Sequence, residues 1–533
     1  MSTKPSLGDR LKVAMLIKMR ESHKKTVEHK SVADFRRRRV AVSPPPRLTP
    51  VNRIYKGMSW MPAAMLVPER VPKEARLPNK YYVTYYGSSK AIWKIYANSP
   101  INPELDWIAG SKWNEAFPTA NEGWGSPTDD DAFAALRLQG SNPFCLKKVD
   151  HDAAVDGATD NAAEEKVFSL DFTELFRDIL PPVEARFAVR EKEFVATSIR
   201  LDDAIHRPGD AGWDDAKRVV NGLDARYSAF IRHLLNCHLM VGEAYAVAAF
   251  TLPPHHPLRP FMDFFTYSTI HVNHTAYTAL LTENSYFLQA NFVSADSARI
   301  LVENAMRVFD FDEWILPRDL AKRKIDEIPG HPYVEDATAV WPAIEHVCRR
   351  HLKELDYDDE MLAADADLAQ WYTTLCRMLP DVDTIPPMNT LEDLIDLLTA
   401  VIYNNVIHEV CGNLSPLLDT KDPRDKQSID IEHLADLARS AGTEPGRKRP
   451  KPWAASVLLM DQATFVSRFN VAGNNLMKIN AARYIDDPKL VLAVTELQDT
   501  LKVLDAQIAA RNVERDRPFE TMLPRKWEAS ISF

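Results

Sequence analysis

Apolar residues recur at helical spacing through the second half of the chain, from about residue 213 onward. Segments 213–250, 262–308, 340–355, 390–414, 460–476 and 489–512 each carry an apolar stripe of helical period and are predicted as helices. Asn389-Thr390-Leu391-Glu392-Asp393 has the composition of a helix start. Asn389 or Thr390 would cap it, with Glu392 or Asp393 on the first-turn amides. The run from Leu394 to Ile407 is apolar on nearly every face, which predicts a helix buried in a large core. Before residue 213 the pattern is weaker. Residues 51–130 are rich in Pro, Trp, Tyr and Lys and show no clear helical period, and Lys80-Tyr81-Tyr82-Val83-Thr84-Tyr85-Tyr86 reads as a strand. Residues 150–165 read as an exposed loop and 421–452 as a polar connection. The predicted fold class is therefore mainly α, a large helical body around central buried helices with few short strands.

Composition narrows the function classes. Among 533 residues there are only 17 glycines against 36 prolines, and neither a P-loop nor a dinucleotide-binding fingerprint is found. With 45% apolar and 26% charged residues the chain is ordinary for a globular protein, which excludes a collagen-like or mostly disordered chain. No stretch reaches about 18 uninterrupted apolar residues. The net charge of −10 is unevenly spread. Residues 1–50 hold 13 basic against 4 acidic side chains, a local +9, so the remainder carries −19. We read 1–50 as a basic, solvated tail able to touch an anionic membrane surface, and 51–533 as a single catalytic domain. The acidic body offers nothing to nucleic acid. Five scattered cysteines suit a reducing compartment, and Lys12, Lys18 and Arg20 interrupt any secretory signal, so a cytoplasmic protein is expected, as a monomer or small oligomer.

Candidate chemistry lies in the histidines. His233 and His238 stand five residues apart within the apolar segment Arg232-His233-Leu234-Leu235-Asn236-Cys237-His238. On an α-helix that spacing turns the two rings about 140° apart. They would converge only if the helix opens to an i→i+5 ladder, an irregularity favoured at functional sites. Otherwise one is a buried structural histidine and the other faces solvent. His408 ends a second apolar helix, and three imidazoles on two buried helices suit iron, copper, zinc or nickel. Cys237 and Cys411 lie near these histidines and read as small core residues rather than thiolate ligands.

At this point the residues resemble the lipoxygenase family. Trp213, Ala216, Lys217, Val220 and Asp224 precede His233-Leu-Leu-Asn-Cys-His238 at the family's spacing. His256-Pro257 with Leu258-Arg259-Pro260, then Leu316-Pro317-Arg318-Asp319-Leu320 with Lys322-Arg323, resemble further family landmarks. Thr390-Leu391-Glu392-Asp393-Leu394, leading to His408, is similar to the helix carrying the third histidine, and the chain closes on Ala529-Ser530-Ile531-Ser532-Phe533. The resemblance runs from about Asp129 onward and is to the short bacterial type lacking the amino-terminal β-barrel. It implies a helical catalytic domain with two central metal-bearing helices. It further implies that His233, His238, His408 and the α-carboxylate of Phe533 bind iron, cycling between Fe2+ and Fe3+, with manganese as the alternative metal. In the family, ferric hydroxide takes hydrogen from a polyunsaturated fatty acid and O2 adds to give a hydroperoxide; no catalytic residue beyond the metal centre is implied.

Several positions depart from the family. Gly412 stands four residues after His408, where a further ligand is often found, and Asn413 follows it as a candidate for that place. Ser228 and Ala229 stand where the family often has histidine and glutamine. In the expected substrate pocket Tyr277 replaces an arginine, and Glu283 lies near a position normally small. A buried carboxylate beside an acyl chain is costly unless paired or protonated. His271 and His274, on the same helix, read as structural groups. Glu283, Tyr277 and Gly412 therefore keep open a second function, an iron oxygenase or oxidase of the same fold acting on a smaller or more polar molecule. A metal-free binder on the same scaffold is a third.

Overall fold

The computed structural model describes residues 44–77, 128–140, 142–152, 165–190, 193–282, 293–413 and 474–531, with isolated positions beside them. Outside the described residues lie nearly all of the basic tail, the Lys80–Tyr86 strand, most of the 150–165 loop, the 421–452 connection, most of the 460–476 helix, Glu283 and Phe533.

Short strands β1 (Leu48–Pro50) and β2 (Leu66–Pro68) pair antiparallel. Helix α1 (Asp130–Gln139) follows, with Asp130 and Asp131 in its first turn, where carboxylates favour the positive helix end. A five-stranded antiparallel meander comes next, in the order β3 (Leu146–Val149), β4 (Lys166–Asp171), β5 (Val183–Arg190), β6 (Glu193–Leu201) and β7 (Ala204–His206). The register of β5 on β6 shifts between Arg186 and Phe187. Phe187 stacks on Phe194 of β6 and on Phe133 of α1, at centroid distances of 5.2 and 5.7 Å. The sheet is thereby fixed to the helical body.

The helical body begins with α2 (Trp213–Thr251). The stretch predicted as one helix over 262–308 is broken into α3 (Arg259–Phe265), α4 (Thr269–Thr275), a further wide turn Ala276–Leu280, and α5 (Ala295–Arg307). The first break falls at Ser268, whose φ of 65° no helix can continue through. Helix α6 (Leu316–Arg323) holds Arg323, which ion-pairs with Asp319 and donates to the carbonyls of Pro143 (2.7 Å) and Leu146 (3.2 Å). Then follow α7 (Pro332–Glu354), α8 (Ala366–Met378), α9 (Leu391–Asn413) and α10 (Pro488–Glu514). Thr390 caps α9 as its composition predicts, accepting from the Asp393 amide while Asp393 accepts from that of Thr390.

Helices α2 and α9 are long and apolar enough to cross a membrane by length and composition, yet 94% of each apolar window is buried inside the protein. They are core helices. α7 lies against α9 and α10, α8 covers the end of α2, and one apolar cluster runs from Val51 to Ala529. The mainly α architecture expected from periodicity is the one observed.

Candidate metal centre

Both central helices abandon α geometry where the histidines lie. In α2 the sixteen residues Tyr227–Gly242 form an i→i+5 ladder, and in α9 the six residues Tyr403–His408 do the same. Such ladders usually last a single turn. The widened turn brings a residue and its fifth neighbour onto one face. The imidazoles of His233 and His238 accordingly meet, with their Nε2 atoms 3.1 Å apart and their rings at 77°.

A carboxylate completes the cluster. Glu409, the first residue after the wide turn of α9, places Oε2 3.3 Å from His233 Nε2 and 2.8 Å from His238 Nε2. The donor atoms of His233, His238 and Glu409 all lie within 4.8 Å of one another, and all three side chains are buried. Sequence reasoning passed over Glu409 because it followed His408 directly and looked like an ordinary helical acid. Its signal was position: a charged side chain inside an otherwise apolar segment needs a buried partner.

Surrounding groups hold these three in place. Asn413 donates to Glu409 Oε1 at 2.9 Å. His238 Nδ1 faces Asn273 Oδ1 at 3.2 Å, and Asn273 Nδ2 donates to the His238 carbonyl at 2.7 Å and to the buried Glu243 carboxyl. A hydrogen bond at Nδ1 that leaves Nε2 free to bind is the usual way a metal-ligating imidazole is oriented. Gly412 lies directly against His233, where a Cβ would overlap the ring. Gly412 thus forms the floor under an imidazole.

The charge states suit metal binding. Burial pushes His233 below the usual imidazole value, with Glu409 opposing the shift, so its ring is neutral at pH 7. For Glu409 burial acts to raise the carboxyl, but the imidazoles of His238 and His233 win and hold it well below the usual carboxylate range. Burial and the Glu409 charge push the Cys237 thiol well up, and its Sγ donates to the Asn404 carbonyl at 3.5 Å. Burial likewise raises Cys411. Both are protonated core thiols, as expected.

His408 stands apart from the cluster. Its ring stacks on Phe144 at 4.5 Å and on Trp314 at 5.6 Å, and Nδ1 accepts a hydrogen bond from Arg232 Nε at 3.2 Å. The Arg232 guanidinium sits 4.5 Å from the Phe144 ring and 4.4 Å from the Trp314 ring, ion-paired to Glu313. Burial, reinforced by the Arg232 and Arg323 charges, drives His408 well below the usual imidazole value.

Of the other candidates, Tyr277 is buried and stacks on Tyr55 at 5.0 Å, and its hydroxyl has no hydrogen-bond partner among the described residues. His271 accepts from the Leu77 amide, and His274 Nδ1 is hydrogen-bonded to the Tyr55 hydroxyl at 2.8 Å, the structural roles expected of them. His256 pairs with Asp365 at 2.9 Å, tying the start of α3 to the cap of α8. Ser228 is buried within the wide turn of α2. The chain approaching Phe533 is described as far as Ile531, whose carbonyl accepts from Ser268 Oγ at 2.8 Å. A Cβ on Gly242, at the end of the same wide turn, would meet Ile531 Cδ1 at 2.6 Å. The last described residues are therefore docked onto the histidine-bearing helix.

Residues 191–415, which contain all of these clustered groups, match the sequence profile of the lipoxygenases. Over this stretch the chain is similar to the lipoxygenases. A linoleate 9/13-lipoxygenase of Pseudomonas aeruginosa is 26% identical over 472 residues, covering 76% of this chain and 66% of that one. A polyunsaturated fatty acid lipoxygenase of Homo sapiens, ALOX15B, is 26% identical over 206 residues, 37% of this chain and 30% of the relative. The chain thus spans just under two thirds of the bacterial lipoxygenase and less than a third of the human one. Among solved structures, a calcium-dependent 11R-lipoxygenase superposes with a TM-score of 0.70 at 17% identity, over 91% of this chain and 79% of that one. A coral 8R-lipoxygenase does so with a TM-score of 0.67 at 16% identity, over 96% and 81%. The lipoxygenase helical fold extends over nearly the whole chain.

Proposed function

We propose that the chain is a non-haem iron dioxygenase that inserts O2 into a polyunsaturated fatty acid to give a hydroperoxide. The observation that carries this reading is the convergence of His233 and His238, achieved by the i→i+5 ladder of α2, on a buried carboxylate from α9. Two imidazoles and a carboxylate are donors that suit iron. The fit is supported by the Nδ1 contact of His238 with Asn273 and by the buried, satisfied Glu409.

Bound iron would supply the one-electron chemistry that removes hydrogen from a weak C–H bond. The protein's own part is positioning and exclusion. Asn273 fixes the His238 ring and Gly412 seats that of His233. Phe230, Leu234, Leu235, Val406 and Ile407 are buried apolar residues on the same two helices, an interior from which bulk water is excluded. Water exclusion protects a substrate radical until O2 captures it.

A second reading, a smaller or more polar substrate, rests on the buried Tyr277 hydroxyl left without a partner among the described residues. A substrate hydroxyl or carboxylate could supply one. Oxygen uptake by the iron-loaded chain with linoleate and arachidonate, set against a panel of polar metabolites, separates the two. Conjugated-diene product from the fatty acids supports the first reading. Uptake with a polar compound alone would replace it with the second.

A further inference from the structure

We propose that Glu409, and not His408, is the ligand that α9 gives to the metal, so that the described residues supply two histidines and one carboxylate. The proposal rests on the reading that metal binds at His233 and His238, and it fixes the remaining donor from α9.

Geometry is the first argument. Glu409 Oε2 already lies 3.3 and 2.8 Å from the two Nε2 atoms, while His408 is absent from the set of mutually close donors. One ion between three such atoms needs only small movements to reach metal–ligand lengths of about 2.0–2.2 Å. The sequence sets this arrangement. The wide turn of α9 ends at His408, so Glu409 leads the resumed helix on the face turned to α2.

Hydrogen bonding is the second argument. A guanidinium can only donate, so His408 Nδ1, facing Arg232 Nε at 3.2 Å, must be the acceptor. A neutral imidazole accepting at Nδ1 carries its proton on Nε2, the atom that would have to bind the metal. His238 shows the opposite and metal-compatible pattern, with Nδ1 against the Asn273 carbonyl oxygen. His408 is further held by its Phe144 and Trp314 stacks, which it would have to leave.

Carboxylate support is the third. Asn413 donates to Glu409 Oε1 at 2.9 Å, leaving Oε2 to face the imidazoles. Asn413, five residues after His408, thereby becomes a positioning residue for a ligand one residue after it. A carboxylate in place of a third imidazole adds one negative charge to the metal's shell, which favours the more oxidised ion.

The test is a count of coordinated histidines on the unmutated chain. The full chain, grown with 15N-histidine and loaded with Mn(II), is measured by electron–nuclear double resonance. Two coupled imidazole nitrogens are expected; three overturn the proposal. Mn(II) titration of variants gives a second readout independent of turnover. Glu409→Gln, which keeps the shape of the side chain, should weaken Mn(II) binding by about 100-fold or more, and His408→Gln by less than about tenfold. The reverse order overturns the proposal even where either variant is less stable, because the histidine count does not depend on them. If His233→Ala abolishes binding while Glu409→Gln does not, the metal reading stands and this assignment fails. Unmutated chain that takes up no Mn(II) or Fe(II) removes both.

Discussion

Gly412 of α9 lies flat against the imidazole of His233 on α2, with no room for even a methyl group between them. This contact brings the two central helices close together at the proposed metal centre. Gly412→Ala should push the His233 ring off the line to Glu409. Metal affinity should fall by about tenfold or more, and stability by about 1–3 kcal/mol from overpacking. Calorimetric titration with Fe(II) and a thermal melt check the two effects together. Unchanged affinity would mean that the His233 ring does not depend on that floor.

Asn273 works in the same way on His238. Its carbonyl oxygen meets Nδ1, and its amide serves both the His238 carbonyl and Glu243. Asn273→Ala should cost about 10–100-fold in metal affinity and about 1–3 kcal/mol of stability from the stranded buried groups. Asn273→Asp keeps the acceptor and should recover part of the affinity.

Glu243 makes a pH prediction. Burial raises its carboxyl from 4.5 to about 8, against the opposing hydrogen bond from Asn273. In the folded chain the carboxyl therefore keeps a proton that the unfolded chain loses above about pH 4.5. This contribution to stability is fully present below that pH and is lost as pH rises towards 8, by about 1.4 kcal/mol per unit at most. Glu243→Gln, neutral throughout, should flatten that slope. Urea unfolding between pH 4.5 and 8 measures it, and parallel slopes for the two proteins would place the titration elsewhere.

The helices carrying the site were legible because burial imposes period. The α9 cap at Thr390 and Asp393, and the all-round apolar run from Leu394, followed from residue types alone. The five-residue spacing of His233 and His238 stated the geometric choice in advance, and the structure takes the open-ladder branch. The five-stranded meander does not show in helical period, and its signal is the β-branched and aromatic residues of β5 and β6 that suit strands. Glu409 was missed for a different reason. Which of two neighbouring residues faces α2 depends on where the wide turn of α9 ends, a matter of packing between helices 170 residues apart in sequence. The stacking of His408 between Phe144 and Trp314 is equally a tertiary fact.

Elemental analysis by inductively coupled plasma mass spectrometry, on the purified chain and on its His233→Ala/His238→Ala variant, bears most directly on the metal centre. About one iron per chain is expected in the first and next to none in the second, which should otherwise keep its helical circular dichroism. Equal metal in both, or none in either after loading with Fe(II), would contradict a metal centre built on the wide turn of α2.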